Sequence, residues 1–306
     1  MASIVICTGI FLCLVAQLDS LARHNRQGSE LTKRRNYAAM KRFCAFLADH
    51  FHLQKLANVS GKHLAAYVEY MQAAGLSAST IKTDLSGIRF FHSKISEAKY
   101  KLPDNNELSV ELERRRFGGV DRTWSRRAFG RFVLTCQEAG HEDFAAITVF
   151  SYYLGLRIHE CFRLDTAAAE AALRSGVLTV KGKGGKIRTV PINESIRIEL
   201  KKMLAVTPRG HKLFVPNGVR TDLAINRFQQ FLCKVRSHVQ DEGSTRPMTH
   251  HGLRHSYAAR TYRELLEKGV APLDASYQVS RLLGHERPDV TNIYLASVKK
   301  EGTDGK

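Results

Sequence analysis

Four separated stretches of this 306-residue chain bring arginine, lysine, histidine and tyrosine together at spacings suited to holding an anion. The first is Leu154-Gly155-Leu156-Arg157-Ile158-His159-Glu160. Gly155 is expected to end one helix, so that Arg157 opens the next, where amides and a guanidinium can jointly hold an oxyanion. Glu160, three residues on, falls on the same helical face and can brace the arginine. Arg/Glu pairs of this kind usually serve structure alone. The second stretch is Lys183, framed by Gly182 and Gly184 between Lys181, Lys186 and Arg188. A lysine at a turn tip is ordinarily just solvated, but a glycine-framed one can reach into a groove and deliver a proton. The third is Thr249-His250-His251-Gly252-Leu253-Arg254-His255, with His251 and Arg254 spaced to share a helix face. Adjacent histidines invite a metal reading, but no acidic residue follows as in an H-E-x-x-H site, and an arginine between ligands would repel a cation, so phosphate fits better than zinc. The fourth runs Leu282-Leu283-Gly284-His285-Glu286 and then Asn292-Ile293-Tyr294. A lone tyrosine is more often a packing residue than a nucleophile, and Tyr257, Tyr262 and Tyr277 lie close by in sequence.

These stretches need a frame. Tyr37, Met40, Phe43, Cys44, Leu47 and Phe51 recur at helical spacing and predict a helix over about 29–51. Ser60 is a candidate N-cap for a second helix that Gly75 stops, and a third starts near Ser79. A fourth is expected over Glu107–Arg116, giving a small helical bundle. The run Arg114-Arg115-Arg116-Phe117-Gly118-Gly119 is the expected joint, basic enough to lie along a phosphate backbone, although a solvated charge run reads equally well. Beyond it, Ser125 can cap a helix reaching about Ala139, and another covers Phe144–Leu154. Val177–Lys181 and Ile187–Pro191 then read as a β-hairpin, after which helices return. The fold class is therefore mainly α with a small β-hairpin sheet, in two domains. The expected boundaries are an apolar extension of unknown role over 1–19, a helical domain over 20–116 and a second domain over 120–300.

Lys and Arg outnumber Asp and Glu by 47 to 29, a net charge of +18. Residues 1–118 hold 17 basic and 10 acidic side chains (net +7), and residues 119–306 hold 30 and 19 (net +11). Both halves are thus basic, as expected if both face one polyanion such as nucleic acid. A generally basic soluble protein would show the same totals. The six cysteines carry no C-x-x-C or zinc-finger spacing and read as reduced, mostly buried thiols of a cytosolic protein. Residues 1–18 are largely apolar and uncharged. A signal peptide would need a basic n-region and a membrane span about 20 apolar residues; an upstream extension ahead of a domain starting near Ser20 is preferred, with no membrane expected.

Taken together the motifs resemble the tyrosine recombinase (phage integrase) family, whose members carry Arg, Lys, His-x-x-Arg, His or Trp and a nucleophilic Tyr in that order. The resemblance falls on Arg157, Lys183, His251, Arg254, His285 and Tyr294 and covers about residues 120–298 by motif; residues 20–118 resemble the helical, SAM-like core-binding domain in character. His159 stands where many members have Ser, and His250 adds a second histidine before the motif. The resemblance implies a site-specific recombinase that cuts DNA through a 3′-phosphotyrosyl link. Arg157 and Arg254 would clamp the phosphate with His285 donating, His251 would take the proton of Tyr294, and Lys183 would protonate the leaving 5′-oxygen. Such a link conserves bond energy, so no metal, nucleotide or other cofactor is implied. The implied partners are double-stranded DNA, a homotetramer on two duplexes and accessory DNA-bending proteins. A type IB topoisomerase-like relaxing enzyme and a catalytically silent DNA-binding regulator remain as alternatives, and a membrane-anchored protein rests on residues 1–18 alone.

Overall fold

The computed structural model describes residues 8–114, 120–182, 185–244, 246–284, 294, 295 and 298. The chain divides into two compact units, Met1–Arg116 and Phe117–Lys306.

The first unit is a helical bundle of α1 (Thr8–Arg23), α2 (Glu30–Phe51), α3 (Gly61–Ala73) and α4 (Ala78–His92). Ser29 and Ser77 cap α2 and α4, each hydroxyl accepting a backbone N–H three residues on at 3.3 Å. Met40, Phe43, Leu47, Leu64, Val68, Leu85 and Ile88 form the shared core. Two features differ from expectation. The apolar N-terminal residues form the inner face of α1, with Leu14 and Leu18 fully buried against α2, so the boundary expected at residue 20 falls inside a helix of this unit. Gln17 ties α1 down further, donating to the Gln54 carbonyl at 2.7 Å and accepting from the Leu56 N–H at 3.0 Å. Conversely, no helix covers 107–114. Asp104 accepts from the N–H groups of Asn106 and Glu107 while Glu107 accepts from that of Asp104, a reciprocal capping pattern that here is followed by bends and not by a helix. Leu108, Val110 and Leu112 then meet the core at every second residue along a bending, irregular segment.

The second unit comprises α5 (Arg126–Glu138), α6 (Glu142–Leu154), the single-turn α7 (Ile158–Cys161), α8 (Thr166–Ser175), β1 (Val177–Lys181), β2 (Ile187–Pro191), α9 (Glu194–Val206), α10 (Thr221–Val239), α11 (His250–Glu267) and α12 (Pro272–Leu283). α6 is apolar on nearly every side and packs against α5, α9 and α11, which makes it the axis of the unit. The hairpin is antiparallel, pairing Val177 with Pro191 and Lys181 with Ile187. Leu178, Val180 and Val190 face the core, while Ile187 is 70% exposed. Of the described cysteines, Cys44, Cys136 and Cys161 are buried free thiols, whereas Cys13 and Cys233 are exposed. Among the described residues, no helix is long and apolar enough to cross a membrane.

Candidate active site

Gly155 closes α6 in the left-handed region (φ 62°), and the Tyr257 ring lies so close that a Cβ would overlap it, so the position admits only glycine. The chain turns there and places Arg157 as the N-cap residue of α7. Glu160 reaches back to Arg157, accepting from its backbone N–H at 2.8 Å and from Nη1 at 2.9 Å. The same carboxylate takes a two-point fork from Arg188 of β2, at 2.9 and 2.7 Å. Burial pushes the Glu160 carboxyl up, but the hydrogen bonds and charge of Arg188 outweigh it and hold the group down at about 2.

The HxxR segment starts α11, which Trp124 fixes at its N-terminal end. The indole N–H donates to the Thr249 carbonyl at 2.9 Å, and the Trp124 backbone N–H donates to Ser256 Oγ at 2.7 Å. Gly252 is pressed against that ring; a Cβ there would lie 2.7 Å from the indole. Arg254 is fully buried. Its Nη1 donates to the Gly155 carbonyl at 2.5 Å and its Nη2 to the Leu283 carbonyl, spanning the ends of α6 and α12. Burial, and then the charge of Arg157, lower its pKa to about 10, which still leaves a cation at neutral pH.

The two adjacent histidines point to different tasks. His250 is buried with Nε2 2.6 Å from Ser151 Oγ, which is 3.3 Å from Cys161 Sγ, so it ties α11 to α6 and α7. His251 lies 5.5 Å from the Tyr294 ring between centroids. Desolvation by its neighbours, then the Arg254 charge, push the His251 imidazole down to about 4, leaving it neutral and able to accept a proton at pH 7. Tyr294 itself is 7% exposed, with the Arg254 guanidinium 5.7 Å from its ring centroid. A third ring, His255, is closer still at 4.4 Å and 34°. His255 stands in the sequence motif without an assigned role, and its spacing of four from His251 is the signal that puts both rings on one face of α11.

The structure thus brings His251 and Arg254 to the Tyr294 ring, with Arg157 lining the same cleft as His251. Lys183 and His285 lie outside the described residues, as do residues 115–119 of the expected joint. A cleft of about 390 Å³ opens beside Arg157 and His251, lined also by His159, His250, Gln229 and Arg236. Among the described residues, no group of three His, Cys, Asp or Glu is arranged to hold a metal ion.

The family model of the phage integrase family matches residues 131–301, and that of the integrase N-terminal SAM-like domain matches residues 18–98. The chain belongs to the phage integrase family. It is a tyrosine-type site-specific recombinase. This integrase is 27% identical over 265 residues to tyrosine recombinase XerC of Natranaerobius thermophilus, covering 81% of this chain and 82% of that one. It is 26% identical over 271 residues to XerD of Staphylococcus saprophyticus, covering 86% of each. Among solved structures it shares its fold with XerH recombinase bound to its palindromic difH substrate (TM-score 0.61, 19% identity, 99% of this chain and 89% of that one). It does so also with a lambda integrase tetramer bound to a Holliday junction (TM-score 0.63, 15% identity, 92% and 76%).

Proposed function

We propose that this integrase cuts and rejoins double-stranded DNA with Tyr294 as the nucleophile. The observation that carries the reading is the enclosure of the Tyr294 ring by His251, His255 and Arg254. Arg254 supplies a buried positive charge and Arg157 a second one braced by Glu160, a pair suited to the extra negative charge of a pentavalent phosphorus. A tyrosine phenol is a weak acid, so a base must take its proton, and neutral His251 fills that role. The phenolate oxygen bonds to phosphorus as the bond to the 5′-oxygen breaks, leaving a 3′-phosphotyrosyl link and a 5′-hydroxyl. Lys183 gives the leaving oxygen its proton and His285 donates to the phosphate, roles that rest on the family motif. Rejoining runs the same steps backwards.

DNA binding by both units accords with their separate positive charge, and assembly of four protomers on two duplexes is the reading favoured by the likeness to the lambda integrase tetramer. Accessory DNA-bending proteins belong to the same reading, as does action in the cytoplasm.

The test is a covalent trap. The purified chain is mixed with fragmented DNA in EDTA and denatured, and DNA-linked protein is recovered beside a Tyr294→Phe control. Adducts with the wild type alone are expected, and sequencing the trapped DNA gives the site. Adducts from Tyr294→Phe would overturn the nucleophile assignment; binding by both without adducts would favour a catalytically silent binder.

A further inference from the structure

Arg188 is the one cation among the described hairpin residues whose side chain is buried, at 8% exposure, while Lys181 and Lys186 are exposed. A buried guanidinium on a small sheet needs a reason, because desolvating it is costly unless it is fully paired. Its partner is the buried Glu160, held by two parallel bonds at 2.9 and 2.7 Å. That carboxylate also holds Arg157 at two points. Two glycines press on the same ion pair. A Cβ on Gly182 would lie 3.3 Å from Glu160 Oε1 and 3.8 Å from Arg188 Nη1, and one on Gly284 would lie 3.1 Å from Arg188 Cδ. Gly284 has φ 67°, so its backbone also disfavours any side chain. Gly182 directly precedes Lys183 in the chain, and Gly284 directly precedes His285. The Arg188–Glu160 pair is therefore where the approaches to three of the proposed site residues meet.

We propose that Arg188 is a positioning residue, which orients Arg157 on the DNA phosphate through Glu160 and registers the segments leading to Lys183 and His285 against it. The inference rests on the reading of Arg157 given above. Its physical basis is competition for one anion. Alone with Arg157, the Glu160 carboxylate would hold that guanidinium as its sole counter-ion; shared with Arg188, it braces Arg157 while leaving the guanidinium's remaining donors for a phosphate. A lysine at 188 would keep the charge but lose the fork.

The test uses the full chain in single-turnover cleavage of the site recovered by the covalent trap, with DNA binding measured separately. Arg188→Gln is expected to bind DNA within about threefold of wild type and to cleave roughly 10- to 100-fold more slowly, less than the loss of a direct donor. Because it acts through Arg157, the same change in an Arg157→Ala background is expected to slow cleavage by less than about threefold. A methylphosphonate at the cut position, which removes the negative charge the clamp must neutralise, is expected to shrink the Arg188→Gln defect by about tenfold. Loss of folding alone would move neither the cycle nor the substrate comparison. If Arg188→Gln fails to fold or bind, Arg188→Lys takes its place in the same cycle with an intermediate defect expected. Equal slowing in both backgrounds, an unchanged defect on methylphosphonate, or wild-type cleavage by the Arg188 variants would overturn the proposal. Wild-type cleavage by Arg157→Ala would instead overturn the reading on which it rests.

Discussion

Burial divides the work of three imidazoles lying within two turns of α11. His250 is locked to Ser151 at 2.6 Å, His255 lies against the Tyr294 ring, and His251 sits at the mouth of the site, near Arg157. An ordinary imidazole titrates near 6.5, so a base of that kind loses activity as pH falls through 6.5. His251 is displaced downward to about 4, so the free protein keeps it neutral well below that point. The pH profile of kcat/KM reports groups of the free enzyme. The acid limb for cleavage is therefore expected below pH 6, measured as initial cleavage at subsaturating DNA with binding followed in parallel. An acid limb near 6.5 that is absent from the binding data would show that the imidazole acting as base is not displaced downward. At this scale the sequence showed which residue types stand at 157, 251, 254 and 294, because each follows from a short motif. It did not show Arg188 as partner of Glu160, since a pairing across 28 positions depends on how β2 packs behind α7.

Elements were legible where one period dominates. The starts of α2 and α4, the caps Ser60 and Ser125 and the hairpin strands fall within a residue or two of expectation because helical and extended patterns there are uncontested. Two elements differ from the sequence expectation for opposite reasons. Over 107–114 the charged residues and Leu108 suit a helix, yet the chain runs through bends and irregular structure in which Leu108, Val110 and Leu112 alternately meet the core. Over 8–23 the apolar content hid the helical face, since exposed Leu12 looks no different in sequence from buried Leu14 and Leu18. The packing of α1 gives a direct prediction. Leu18 is fully buried, so Leu18→Ala removes its contacts and leaves a cavity, an expected loss of about 2–4 kcal/mol. Urea unfolding of the full chain followed by hydrogen exchange in α2 measures it. A loss under about 0.5 kcal/mol, the size of a surface substitution, would mean that α1 does not share this core in solution.

At the scale of the whole molecule, both units are positively charged and both bury neutral histidines. Burial lowers His63 and His92 in the first unit and brings His250 and His255 to about 3 in the second. A group whose folded pKa is depressed binds fewer protons in the folded than in the unfolded chain between its two pKa values. Stability then rises with pH across that window, which here runs from about 3 up to the ordinary histidine value near 6.5. Lowering pH from 7 to 5 protonates His250 and His255 in the unfolded chain alone and costs on the order of 1–2 kcal/mol for each. Glu160 does not contribute over this range. Its carboxyl is held down at about 2, so its stabilisation is complete above the ordinary glutamate value and is lost only as pH falls further. Thermal unfolding is thus expected to shift to lower temperature between pH 7 and pH 5, with the second unit losing more than the first. Calorimetry on the full chain resolves this, with His250→Asn as the control. The substituted amide does not titrate, so provided it keeps the bond to Ser151 that variant should lose less stability on acidification than the wild type. An identical acid shift in both would mean that His250 does not remain neutral in the folded protein, and an unchanged melting temperature across the window would mean that the buried histidines as a group do not.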